Sequence, residues 1–196
     1  MKQTQVKVVL LGDSGVGKSS LLFRYVTGTF EAERGATLGA SFMSKVVSFP
    51  NLQLKFNIWD TAGQERYKAL AKMYYRDACV AILVYALDQP DSLLSLQGWE
   101  EELRQHGPSN VLIAVAANKE DTTKAADSAG VSWAQSRGVI YRRTSAKLNT
   151  GIDTLFEEIA MKLEQEALQT LPKGPVRVEA KPRGRQAGCC AGNKTK

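Results

Sequence analysis

Eight residues constrain this chain more than any others: Gly12-Asp13-Ser14-Gly15-Val16-Gly17-Lys18-Ser19. They follow the apolar run Val6–Leu11 and lead into Lys18–Thr27, where Leu21, Leu22, Tyr25 and Val26 mark one helical stripe. The pattern G-x-x-x-x-G-K-[ST] between a strand and a helix is what a loop needs to wrap a phosphate. Glycines remove the Cβ atoms that would hold backbone N–H groups away from phosphate oxygens, and the helix N-terminus adds its positive end. Ser14, Gly15, Val16, Gly17 and Ser20 belong to this cradle, with Lys18 for the β- and γ-phosphates and the Ser19 hydroxyl for Mg²⁺. The bland alternative is a glycine turn before a helix, and the flanking strand and helix weigh against it. Alone, the motif says nucleoside triphosphate without saying which.

The remaining chain alternates strand and helix patterns. Ala40–Phe49 and Gln53–Trp59 read as an antiparallel pair about the turn signal Pro50-Asn51. Glu65–Tyr75 reads as an irregular helix, Val80–Leu87 as a buried strand, Asp91–His106 as a helix and Val111–Ala117 as another buried strand. Ser128–Arg137 and Val139–Arg143 read as a weaker helix and a short strand. Thr150 and Asp153 suggest a capping box for a last helix whose stripe is Ile152, Leu155, Phe156, Ile159 and Leu163. The expectation is an α/β fold with a mostly parallel sheet covered on both faces.

Two further pieces lie at strand ends. Asp60-Thr61-Ala62-Gly63-Gln64 is read as a loop in which Asp60 serves a Mg²⁺, Gly63 offers its N–H to a γ-phosphate and Gln64 orients an attacking water. Asn118-Lys119-Glu120-Asp121 and Thr144-Ser145-Ala146-Lys147 select the base. A carboxylate at Asp121 accepts from both the N1–H and the N2 amine of guanine, which adenine lacks, and the Ala146 N–H suits the O6 acceptor. The stems of Lys119 and Lys147 cover the ring faces. Charged tetrapeptides in loops are usually only solvated, but two at strand ends in this order are a strong pattern.

Composition removes other chemistries. His106 is the sole histidine and the three cysteines are Cys79 and the adjacent pair Cys189-Cys190, so zinc sites, disulfide frameworks and histidine-assisted nucleophiles have no material. No apolar run approaches the roughly 20 residues of a membrane span, and the start shows no signal-peptide core, so a soluble, cytosolic chain is expected. The net charge of +6 first suggests nucleic acid. From Leu168 onward, however, seven basic residues stand against Glu179 alone, which accounts for the entire excess. The neutral body argues against nucleic acid, and the basic, Pro/Gly-punctuated end argues for an acidic membrane surface. The expected division is a domain over 1–167 and a flexible tail over 168–196.

With these motifs in place, the chain resembles the Ras-like small GTPases, and within them the Rab branch, from Val6 to about Leu163. Leu38-Gly39-Ala40-Ser41-Phe42, Lys55-Phe56-Asn57-Ile58-Trp59, Glu65-Arg66-Tyr67 and Tyr74-Tyr75-Arg76 carry the Rab resemblance, and Thr37–Phe42 with Trp59–Tyr75 look most like the early-endosomal Rabs. The resemblance implies a P-loop NTPase small G domain with six strands, one of them antiparallel. It implies GTP/GDP and Mg²⁺ as ligands and slow GTP hydrolysis in vesicle traffic. It also places Thr37 at Mg²⁺ and the γ-phosphate, Phe30 against the guanine, and Phe42, Trp59 and Tyr74 at effectors. Core packing is nearly as good a reading for Trp59. Implied partners are an exchange factor, a GTPase-activating protein, effectors of the GTP form and a prenyl-tail chaperone, acting on a monomeric G domain. Cys189 and Cys190 resemble a doubly prenylated end on the cytosolic face of endosomal membranes, against a reading as spare thiols. Ala86 stands where many Rabs have an acid, Asp77 where many have glycine, and six residues trail Cys190. The alternative is a scaffold that holds nucleotide without hydrolysing it; Gln64 argues against that, and Asp121 against a small-metabolite kinase.

Overall fold

The structure is a computed structural model that describes residues 3–33, 35–48, 53–63 and 68–170. Six strands, β1 (Gln3–Leu11), β2 (Ala40–Ser48), β3 (Gln53–Thr61), β4 (Val80–Ala86), β5 (Leu112–Asn118) and β6 (Ile140–Arg143), form one sheet in the order β2-β3-β1-β4-β5-β6. Only the β2–β3 pair is antiparallel. The helices are α1 (Lys18–Thr27), α2 (Lys68–Tyr75), α3 (Asp91–His106), α4 (Ser128–Arg137) and α5 (Ile152–Thr170). No described helix is long and apolar enough to cross a membrane.

The apolar runs Val8–Leu11 of β1 and Val80–Ala86 of β4 have a simple cause: each is covered on both sides. Val8, Leu10, Ile82 and Val84 face α1 and α5, where Leu21, Tyr25, Leu155 and Phe156 complete one core. The alternate residues Val9, Leu11, Leu83 and Tyr85 meet Tyr75, Leu96, Trp99 and Leu103 of α2 and α3 in the other. Tyr25 and Phe156 stack with ring centroids 3.6 Å apart, locking α1 to α5. Burying each large side chain of this kind contributes about 1.5–3 kcal/mol.

β1 is the switch point of the sheet. From β1 the chain passes through α1 to β2 on one side, returns along β3 and then crosses to β4 on the other side. The parallel strands therefore end on one edge, where a crevice opens between their loops. Two local expectations are corrected there. Asp60 and Thr61 are not loop residues but the last two of β3, because the ladder with β2 runs on through Ser41↔Asp60 and Ala40↔Thr61. Thr150 does not cap α5: its backbone makes an antiparallel bridge with Ser145 and its hydroxyl donates to Glu120 Oε2 at 3.4 Å. The helix α5 continues to Thr170; residues 171–196, with Cys189 and Cys190, lie outside the described residues.

Candidate nucleotide site

A cleft of about 460 Å³ opens at the ends of β1, β3 and β5. Its phosphate-loop wall is Ser14, Gly15, Gly17, Lys18, Ser19 and Ser20, and Phe30, Thr37, Gly63, Asn118, Lys119, Asp121, Ala146 and Lys147 face it. Residues from five separate stretches of sequence thus share one cavity. Val16 and Ser145 do not line it. Val16 is fully buried and offers the site only its backbone, whereas Ser145, also buried, donates from Oγ to Asp121 Oδ1 at 2.5 Å and fixes that carboxylate from behind. Gln64 lies outside the described residues.

Two glycines are dictated by space. Gly17 has φ of 94°, and a Cβ there would come within 2.4 Å of Asn118 Nδ2. A Cβ at Gly63 would come within 2.4 Å of the Asp13 carbonyl carbon and 2.5 Å of Lys18 Nζ. The backbone after β3 can therefore close on the phosphate loop only if it is bare.

Lys18 is 5% exposed and donates to the Gly12 and Asp13 carbonyls at 2.8 and 2.7 Å. Burial lowers its pKa to about 8, against the opposing pull of Asp60 and Asp13. Asp60, 1% exposed, has its pKa raised by burial, while hydrogen bonding from Ser19 and the charge of Lys18 hold the rise back. Its Oδ2 accepts from Thr37 and Ser41, each at 3.3 Å, and Ser19 Oγ lies 2.6 Å from Thr37 Oγ1. Asp60 Oδ1 is buried with no hydrogen-bond partner among the described residues. A buried carboxylate with a spare oxygen beside two hydroxyls is a donor set suited to a small hard cation.

The base side is held by contacts that local patterning does not reveal. Asn118 Nδ2 donates to the Val16 carbonyl at 2.9 Å, and its Oδ1 accepts from Thr144 Oγ1 at 3.2 Å. Arg24 donates to the Ala146 carbonyl at 2.7 Å and to the Lys147 carbonyl at 3.1 Å, so α1 carries the base loop. Its guanidinium also lies 5.8 Å from the centre of the Phe30 ring. Lys119 takes a left-handed backbone, φ 62°, and pairs with Asp88 at 3.1 Å. Trp99 Nε1 donates to Asp13 Oδ1 at 3.0 Å, tying α3 to the phosphate loop. Ala32, Gly35, Ala36 and Thr61 also line the cleft. Arg24, Asp88 and Trp99 belong to none of the motifs, and only the packing brings them to the site.

Away from the cleft, Phe42, Trp59 and Tyr74 form one contiguous patch. The ring centres of Phe42 and Trp59 are 5.1 Å apart, and those of Trp59 and Tyr74 are 5.2 Å apart. Phe42 is 50% exposed, while Trp59 and Tyr74 are partly buried against the core beneath α2 and α3. Trp59 packs against the core on one side and against the Phe42 and Tyr74 rings on the other.

The Ras family model matches residues 7–165. Ras-related protein Rab5 of Nicotiana tabacum is 43% identical over 187 residues, covering 94% of each chain. Human Ras-related protein Rab-22A is 41% identical over 195 residues, 97% of this chain and all of its own. The chain belongs to the Ras family, on its Rab branch. Human Ras-related protein Rab-31 is similar at 40% identity over 190 residues, 95% of this chain and 97% of its own. As a Rab it is a small GTPase, hydrolysing GTP to GDP and phosphate and cycling between the two nucleotides as a switch in membrane traffic. Nothing in these similarities favours the non-hydrolysing scaffold.

Proposed function

We propose that the cleft holds GTP or GDP with its phosphates on Ser14–Ser20 and its guanine between Phe30, Asn118–Asp121 and Ser145–Lys147. The observation that carries this reading is the convergence of the phosphate loop, the end of β3 and both base-reading loops on a single cavity. Asp121 is the guanine-selecting carboxylate and Lys18 the counter-charge to the β- and γ-phosphates. Ser19, Thr37 and Asp60 would hold Mg²⁺, in keeping with the unpartnered Asp60 Oδ1. When bound, that ion offsets charge on the β- and γ-phosphates. Gly63 offers its N–H to the γ-phosphate and Gln64 orients the attacking water. A GTPase-activating protein accelerates the step with an arginine, and an exchange factor reloads the site.

The γ-phosphate would organise residues 30–42 and 60–75, so that effectors recognise the GTP form through Phe42, Trp59 and Tyr74. The G domain works as a monomer, without nucleic acid. Prenyl groups on Cys189 and Cys190, together with the basic tail, anchor it to the cytosolic face of endosomal membranes, and a prenyl-tail chaperone maintains a cytosolic pool.

A competition titration of the nucleotide-free protein tests the central reading. GTP and GDP are expected to displace a fluorescent GDP tightly while ATP does not. Asp121→Asn moves the preference towards xanthosine nucleotides, because its NH₂ meets the 2-oxo group, at a cost of about 10–100-fold in GDP affinity. Equal affinity for ATP and GTP overturns the reading.

A further inference from the structure

Asp60 is held from two sides. Ser19 and Thr37 approach it from the phosphate loop and from the irregular stretch before β2. Ser41 approaches from within the sheet: it is the residue of β2 directly opposite Asp60 on β3, and its Oγ donates to Asp60 Oδ2 at 3.3 Å. Residues directly opposite each other in an antiparallel pair project side by side from the same face. The register of the strands therefore sets where this hydroxyl stands, and the conformation of residues 29–39 does not. Ser41 also reaches a small cavity of about 360 Å³ that it shares with Ser19, Thr37 and Asp60.

We propose that Ser41 is a positioning residue for the cation site: a sheet-borne donor that orients the Asp60 carboxylate and so sets the affinity of the site for Mg²⁺. The inference rests on the nucleotide reading above and extends it. Ser19 and Thr37 lend their oxygens to the ion, and Asp60 needs one oxygen tethered so that the other points to it. Oδ2, with donors from Ser41 and Thr37, is the tethered oxygen, and Oδ1 is the free one. Outer partners that orient a ligating carboxylate commonly change metal affinity by about 10–100-fold when removed.

Release of a fluorescent GDP from the full chain, followed across a series of free Mg²⁺ concentrations, tests this directly. A cation shared between the protein and the phosphates slows release, so the midpoint of that slowing reads its affinity. Ser41→Ala is expected to move the midpoint to about tenfold higher Mg²⁺, leaving the release rate in excess EDTA unchanged. Ser41→Thr, which keeps the hydroxyl and suits a strand, restores the wild-type midpoint. An unmoved midpoint in Ser41→Ala overturns the proposal. So does an equal rise in release with and without Mg²⁺, which would mean general loosening of the site. If release from the wild type does not respond to Mg²⁺ at all, the cation site itself is wrong and the proposal falls with it.

Discussion

The side-chain amide of Asn118 reaches the carbonyl of Val16 at 2.9 Å, joining the end of β5 to the phosphate loop across 102 residues of sequence. Its other atom accepts from Thr144 at 3.2 Å, so one buried side chain links the phosphate loop to both base-reading loops. Asn118→Ala removes both bonds and leaves a buried carbonyl and a buried hydroxyl without these partners. Each buried group left unpaired costs about 1–3 kcal/mol, so GDP release is expected to quicken by at least ~30-fold in a stopped-flow displacement assay. A release rate within a factor of two of wild type would mean that the two ends of the site are not coupled through Asn118.

Hydrolysis is expected to depend on Gln64, the residue proposed to orient the attacking water. Gln64→Leu should bind GTP almost as wild type does, yet slow partner-stimulated turnover by about 10²-fold or more, since leucine can neither accept from nor donate to water. Single-turnover phosphate release in the presence of an activating protein measures it. A wild-type rate in the variant would remove Gln64 from the reaction.

The patch at Phe42, Trp59 and Tyr74 should behave as one docking unit because its rings are already in contact. Phe42→Ala takes away the most exposed of the three and is expected to weaken an effector complex of the GTP form by about 2 kcal/mol. Its effect on folding should be small, as the ring is half in solvent. Titration calorimetry against the effector, with GDP-loaded protein as control, decides the matter. Equal binding of the GDP and GTP forms would contradict the switch.

Alkaline stability should carry the mark of two phenols, Tyr85 buried and Tyr141 partly buried, that share one carboxylate. The Tyr85 and Tyr141 hydroxyls both donate to Asp127 Oδ2, and Asp127 Oδ1 caps α4 by accepting from the Gly130 N–H at 3.1 Å. Burial first, then the bond to Asp127, pushes the Tyr85 phenol far above its ordinary range, and the same causes raise Tyr141. A raised folded-state pKa means the unfolded chain gives up its phenol protons first. The stabilisation is whole below about pH 10 and is lost as pH rises above it. Denaturant titrations should show stability falling above about pH 10, and less steeply in Tyr85→Phe, which itself costs about 1–3 kcal/mol at neutral pH. The same slope in both proteins would acquit Tyr85.

Membrane anchoring is expected to depend on Cys189 and Cys190. One lipid chain gives only marginal, reversible binding and two signals give stable attachment. Cys189→Ser combined with Cys190→Ser is expected to leave the protein wholly cytosolic by fractionation, while intact-mass measurement of native protein shows the prenyl increments. Free thiols at both positions in native protein would reduce the tail to a linker.

The parts legible in the sequence are those whose chemistry is local. A phosphate loop needs bare backbone within eight consecutive residues, so Gly12–Ser19 declares itself. A strand covered on both faces needs an unbroken apolar run, so β4 does too. Asp121 and Ala146 could be expected at the cleft they line because both sit in short loops at strand ends. Tertiary structure alone decided what stands behind those loops. Arg24 serves the Ala146 carbonyl from 122 positions away, and Trp99 serves Asp13 from 86. Thr150 bonds Glu120 where the local pattern suggested a helix cap, and Ser41 faces Asp60 through strand register. Long-range hydrogen bonds of this kind have no period or spacing in the chain. The order of strands in the sheet brings their donors and acceptors together, and that order is set by which apolar faces can be buried at once.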